Sequence, residues 1–198
     1  CHTRRQRQMC IRDRNISGDI GEDLNSAGLW DSFRERPFDR VPNINSKPNY
    51  IFVNCCKKDP LELNPNLIIS KENNFFDLGL DVLEELAEDA VFLCGNEEIE
   101  TTNENVEKFL ISGKYPSGNS SAHIYKICPI RKSKKTWTIS WQDVIRIGKY
   151  ISTKSYCFDK YVSVTGSACV EPKLLKTVSG ASLTLSLIHI SEPTRLLA

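Results

Sequence analysis

A chain of 198 residues with 40% hydrophobic and 26% charged side chains has ordinary globular composition, enough for one medium domain or two small ones, with no internal repeat or low-complexity segment. Its formal net charge of +1 rests on the amino-terminal end: residues 1–14 hold five arginines and one aspartate, residues 186–198 hold one glutamate and one arginine, and without both ends the charge is −3. That mild acidity, with no basic stripe outside residues 131–135, argues against nucleic acid as a partner. No run reaches the roughly 18 apolar residues of a membrane-spanning helix, and no leader pattern is found.

Both ends, CHTRRQRQMCIRDR and SLIHISEPTRLLA, resemble translated adapter sequence. They are set apart as tails over residues 1–14 and 185–198, expected to be exposed and without long-range contacts. Within residues 19–35, Leu24, Ala27, Leu29, Trp30 and Phe33 recur near helical spacing, and Gly28 predicts a break between two short helices. Pro37 ends the helical pattern, in a cationic loop carrying Arg34, Arg36 and Arg40. Residues 50–55 form a continuous apolar run, expected as a strand buried on both faces of a parallel sheet. Asn64-Pro65 opens a long helical region with Phe76, Leu80, Leu83 and Leu86 on its apolar face and Asp81, Glu84, Glu85 and Glu88 on its wet face. A second strand over 90–94 closes at Gly95-Asn96. Strand, helix and strand at this spacing make a βαβ unit with a right-handed crossover.

A third strand is predicted over 106–111, then a polar loop over 113–121 whose last serines are placed to cap a helix from Ala122. A strand over 136–141 leads into an amphipathic helix over 141–151 with Val144, Ile145 and Ile147 on its buried face; Trp137 and Trp141 read as core at that junction. From Tyr161 the pattern becomes a hairpin, 162–166 and 174–178, with a turn ending at Glu171-Pro172. The organisation expected is an α/β domain with a parallel sheet over 15–156 and the start of a β-rich domain over 157–184.

A zinc site needs three or four Cys, His or carboxylate ligands at characteristic spacings. Between the tails the chain has one histidine, His123, and six cysteines, Cys55, Cys56, Cys94, Cys128, Cys157 and Cys169, with no CxxC pair. His123 therefore reads as a loop or helix-start residue. A Ser or Cys nucleophile would have to share that histidine without a GxSxG elbow, which argues against hydrolysis. Several cysteines sit in apolar runs, where a free thiol behaves as a small hydrophobe; this favours a reducing compartment and a cytoplasmic, soluble or peripheral protein. Neither GxGxxG nor the P-loop pattern occurs. PSGNSS, within 113–121, is the nearest phosphate-cradling stretch, and two glycines in a polar loop also suit a plain connector.

The arginines of RERPFDR are more informative. Guanidinium forks suit carboxylates, phosphates and acids on a partner, and aromatic residues lie in the same stretch, which makes Trp30, Arg34, Arg36, Phe38 and Arg40 contact candidates. The structural alternative is that the aromatics are core and the arginines are solvated or paired with Asp31, Glu35 and Asp39.

The stretch over 28–55, GLWDSFRERPFDRVPNINSKPNYIFVNC, resembles the NqrA family, a subunit of the Na+-translocating NADH:quinone reductase, whose members carry a similar GLW, RPF, VP, P and IFV succession. Three further segments resemble the same family in its order: FDLGLDVLEEL, the pair HIYKICPI and KTWTISWQDVIRIGKYI, and YVSVTGSACVEPKLLKTVSGAS. The resemblance implies a Rossmann-like domain over 15–156, followed by the truncated start of a β-grasp (SLBB-like) domain over 157–184. It implies a peripheral subunit on the inner, cytoplasmic face of a bacterial cell membrane. Its partners would be the other subunits of the reductase and ubiquinone, with Trp30, Arg34, Arg36, Phe38 and Arg40 as quinone- or partner-contact candidates.

The family is distantly similar to the flavin-binding subunit of respiratory NADH dehydrogenases, in which a glycine-rich loop grips FMN at the position of residues 28–37. Here Leu29, Trp30 and Asp31 stand instead, without the close backbone approach that glycine permits. The implication is a subunit with no cofactor and no metal of its own, FAD, FMN, riboflavin and Fe–S centres being carried by other subunits. The family's amino-terminal domain, which resembles a biotinyl carrier sandwich, has no counterpart here, so the chain reads as an internal fragment. Two alternatives stay open: a subunit of the related Rnf-type electron-transport complex, which would carry ferredoxin-like cysteine clusters further along, and a non-enzymatic interaction module of the same fold.

Overall fold

The computed structural model describes residues 20–57, 61–130, 134–165 and 172–182. Both expected tails, Cys169 and the turn ending at Glu171 lie outside the described residues.

The fold is organised on strand β2 (Tyr50–Cys55), every residue of which after Tyr50 is buried. Ile51, Val53 and Cys55 point into one apolar cluster and Phe52 into another on the opposite face, so no position of this strand is free to be wet, as its unbroken apolar run requires. Two strands flank it in parallel: β3 (Ala90–Gly95), with Tyr50 opposite Ala90, and β5 (Thr136–Ser140), with Tyr50 opposite Thr136. β4 (Glu107–Leu110) adds in parallel to β3, and β1 (Arg34–Arg36) pairs antiparallel with β5, giving the order β1-β5-β2-β3-β4.

β1 is where the structure departs from the cationic loop expected there. The helical pattern stops at a 3-10 turn, Trp30–Ser32, and Phe33 is already extended. Phe33 is fully buried, its ring centroid 5.3 Å from that of Trp30 and 5.6 Å from that of Trp137. Anchoring Phe33 on a β5 side chain lays the next three residues along β5, where their backbone groups join the ladder instead of facing water. The break expected at Gly28 is present: at φ +64 it separates α1 (Ile20–Ser26) from the 3-10 turn, in a conformation that only glycine adopts without strain.

The long helical region after Asn64 is two helices, α2 (Pro65–Ile69) and α3 (Asn73–Leu86). Asn64 caps α2 by accepting from the Asn66 amide, with Pro65 in the first turn, where its missing N–H is harmless. α4 (Ser120–Ile127) begins two residues before the expected start, so Ser120 and Ser121 lie in its first turn and Asn119 holds the cap position. α5 (Trp141–Thr153) follows β5 directly. α2, α3 and α5 cover the face bearing Val53, Leu93 and Ile139; Ile124 of α4 packs on the other, against Phe52, Phe92 and Cys94. The result is three layers, helix on sheet on helix.

α3 and α5 meet backbone to backbone. A methyl group at Gly148 would stand 1.8 Å from the Phe75 carbonyl oxygen, and one at Gly79 would stand 2.2 Å from that of Val144. Beyond α5, β6 (Asp159–Val164) and β7 (Lys173–Val178) form an antiparallel hairpin, with Asp159 opposite Val178 and Val164 opposite Lys173. Its first strand starts two residues earlier than the pattern from Tyr161 indicated.

Candidate functional site

The five contact candidates divide. Trp30 is 3% exposed, and its indole N–H donates to the Pro42 carbonyl at 2.9 Å; it is core, as is Phe33. Phe38 is 77% exposed at the tip of the turn after β1, with the Arg40 guanidinium 5.8 Å from its ring centroid. Arg40 pairs with Glu35 at 2.9 Å, and Arg36 pairs with Asp39 at 3.3 Å while its Nε lies 3.4 Å from the Thr138 hydroxyl. Arg34 is exposed. A Glu35–Arg40 bridge closes the turn, and Asp39 takes the left-handed conformation at φ +52. The pairing partners Glu35 and Asp39 were among those named from the sequence; what remains outward is an aromatic ring flanked by partly neutralised guanidinium groups.

The place of this turn in the sheet is not the one the loop reading implied. Arg36 is opposite Thr136, the first residue of β5, so the turn sits beside the amino-terminal ends of the parallel strands. Ligands of open α/β sheets bind at the carboxyl ends. There, Asn54 near the end of β2 is 5% exposed and fully engaged: its amide donates to the Gly118 carbonyl at 3.0 Å and to the Ser120 hydroxyl at 3.1 Å, and its oxygen accepts from the Cys56 amide at 2.9 Å. His123, buried in the first half of α4 and not in a loop, has Nε2 2.9 Å from the Ser117 carbonyl, the geometry of a donor. Both hold the 113–119 segment down over the strand ends, which is the connector reading of PSGNSS. The cue for Asn54 was available in the sequence, as the polar residue of an apolar strand.

Cys55, Cys56 and Cys94 are buried free thiols. Burial pushes Cys56 up to about 11 and Cys94 up to about 12, so at neutral pH all three are protonated and poor nucleophiles. Among the described residues no group of three or more His, Cys, Asp or Glu side chains could hold a metal ion, and no helix is long and apolar enough to cross a membrane.

A second constellation, which no sequence motif marked, joins the hairpin to the helices. Glu72, just before α3, receives the Lys149 ammonium at 2.6 Å and the Tyr161 hydroxyl at 2.6 Å. Lys149 also reaches Asp159 at 3.4 Å, and Lys176 of β7 pairs with Asp159 at 2.8 Å. Gln142 brackets the Tyr161 backbone, donating to its carbonyl at 3.1 Å and accepting from its amide at 3.0 Å. Burial alone would raise the Glu72 carboxyl, but hydrogen bonds from Lys149 and Tyr161 and the charges of Lys149 and Lys176 outweigh it and hold the group below the usual carboxylate range. The Lys176 hydrogen bond likewise holds Asp159 low, and burial, reinforced by Glu72, raises the Tyr161 phenol. Each shift keeps the network ionised at neutral pH.

The family model described as the NqrA second alpha/beta domain matches residues 17–156. Three similar proteins are each named as the NqrA subunit of a Na(+)-translocating NADH-quinone reductase. That of Saccharophagus degradans is 38% identical over 165 residues, covering 82% of this chain and 37% of its own length. That of a Marinomonas species is 39% identical over 167 residues, covering 83% and 37%, and that of Vibrio alginolyticus is 37% identical over 178 residues, covering 89% and 39%. The chain thus spans well under half the length of the relatives it matches. With the domain match extending over more than half of its residues and running from α1 through α5, the chain belongs to the NqrA second alpha/beta domain family.

Proposed function

We propose that this chain is the second domain, with the beginning of the next, of the NqrA subunit of a Na+-translocating NADH:quinone reductase. The match over residues 17–156, with 37–39% identity to relatives carrying that name, supports the reading. On this reading the β6–β7 hairpin opens a β-grasp (SLBB-like) domain, and the α/β domain is Rossmann-like. The subunit sits on the inner face of the bacterial cell membrane with the other subunits as partners and ubiquinone as the electron acceptor of the complex.

The chain carries no redox centre in the proposal. Where a flavin-gripping loop would need glycine, Leu29 and Trp30 are buried, and the crevice at the strand ends is covered by the Asn54-pinned segment. Its work is then positional: it holds a docking surface, with Phe38, Arg34, Arg36 and Arg40 outward at the β1 edge, on a rigid sheet. Exchanging residues 17–182 for the matching segment of the Marinomonas protein within its own reductase tests this. Assembly with Na+-dependent NADH:quinone turnover and unchanged flavin content is the expected outcome. A chimera that is folded and stable yet excluded from the complex refutes the assignment, and one stoichiometric flavin in the purified chain refutes its cofactor-free part.

A further inference from the structure

Between the hairpin and the helices lies a cleft of about 530 Å³. Three ammonium groups face it from three separate elements: Lys71 from the segment between α2 and α3, Lys149 from α5, and Lys176 from β7. Glu72 is the carboxylate in its lining, and Asp159 lies behind, paired to Lys149 and Lys176. Three cations against two carboxylates leave one positive charge over, and the surplus is Lys71, whose ammonium forms no ion pair among the described residues. The remaining wall is apolar, from Ile68, Phe75 and Leu174.

We propose that this cleft binds a small amphipathic organic anion, its carboxylate or phosphate head at Lys71 and Lys176 and its apolar body against Phe75, Ile68 and Leu174. The cations are preset for this. Lys149 and Glu72 are only 12% and 15% exposed, so the floor is fixed, whereas Lys176 is 52% exposed and can turn toward an arriving head group while Lys149 still neutralises Asp159. Lys149 stands 5.7 Å from the Phe75 ring centroid and Lys176 stands 5.9 Å from that of Tyr161, so charge and ring surface alternate along one wall. An anion with a ring or short chain meets both; a neutral apolar molecule of the same shape leaves Lys71 unanswered, and a fully hydrated ion leaves the apolar wall wet. The site is independent of the reductase assignment, since every group in it belongs to this chain.

The test uses the whole chain and the fluorescent sulfonate 8-anilinonaphthalene-1-sulfonate, with N-phenyl-1-naphthylamine as its neutral counterpart. One sulfonate should bind per chain, more weakly at high salt, and Lys71→Glu should weaken it by about tenfold or more because an attractive charge becomes a repulsive one. Lys71→Arg should retain binding, and the neutral probe should be indifferent to all variants. Displacement by benzoate or by phenyl phosphate then says whether the natural head is carboxylate or phosphate. The proposal fails if Lys71→Glu binds the sulfonate as the wild type does, if the neutral probe binds as tightly, or if neither benzoate nor phenyl phosphate displaces the probe. Circular dichroism of Lys71→Glu, expected to match wild type since Lys71 holds nothing in the fold, separates loss of the site from loss of structure.

Discussion

Replacing Gly148 by alanine probes the contact on which the helix layer is built. The new Cβ would lie 1.8 Å from the Phe75 carbonyl oxygen and 2.7 Å from its carbon. Reaching even 3.0 Å from that oxygen requires α3 and α5 to separate by about 1.2 Å, and the obstacle is backbone, so no side chain can rotate aside. A radial gap of about 0.5–1 Å already forfeits a quarter to a half of the dispersion attraction between facing groups, here Phe76, Leu80 and Leu83 against Val144, Ile145 and Ile147, all buried. Overpacking of this kind costs about 3 kcal/mol, the upper end of its usual range. Alanine's better helix propensity returns about 1 kcal/mol. The net loss of about 2 kcal/mol should lower the melting temperature by about 4–8 °C for a chain of this size. Urea unfolding followed by circular dichroism measures it, with Gly28→Ala as the control: nothing lies within 4 Å of its Cβ, so only the left-handed backbone is strained, by about 1–2 kcal/mol. If Gly148→Ala were as stable as wild type, or gained the propensity difference, the two helices would not be in backbone contact and the packing described above would be wrong.

Other consequences can be measured separately. Asp81 is raised to about 6 by burial and by the charges of Glu84 and Asp77, against a hydrogen bond from Asn103; the folded state thus holds its proton more tightly than the unfolded state. That contribution is present below the ordinary carboxylate value near 4 and is lost as pH rises through about 6, so Asp81→Asn should melt higher than wild type at pH 7.5 and flatten the stability profile between pH 4 and 6; an unchanged profile would refute it. Cys55, Cys56 and Cys94 should resist a thiol reagent in the native chain and be alkylated only in denaturant, while peptide mapping finds Cys128 and Cys157, both partly exposed, modified first; native labelling of Cys94 would contradict its burial. Arg36→Ala with Arg40→Ala removes the pairs to Asp39 and Glu35. Surface ion pairs contribute about 0–1 kcal/mol each, so the double variant should unfold close to wild type yet assemble less well with the other reductase subunits at low salt. Equal assembly at low and high salt would return the turn to a purely structural role.

Much of the architecture was present in the order of residue types, because burial on two faces and burial on one leave different periodicities. Residues 50–55 and 90–94 could be nothing but inner strands, since an unbroken apolar run of that length has nowhere to put a wet face. The spacing of Val144, Ile145 and Ile147 fixed the buried side of α5, and Gly28 fixed a break. What periodicity does not carry is the partner of each surface. Residues 34–36 are short, charged and polar, with no strand pattern; they became β1 only because Phe33 is drawn under Trp137, more than a hundred residues away, and that same pairing sends the arginine turn to the amino-terminal ends of the strands. Gly79 and Gly148 look in isolation like weak points of two helices, and only the crossing of those helices shows that each glycine makes room for the other's backbone. The Glu72, Lys149, Tyr161, Asp159 and Lys176 network has no sequence signature at all, because its members come from four separate segments. A charge on a helix face reads as solvated until another element arrives to share it, and here that element is the hairpin.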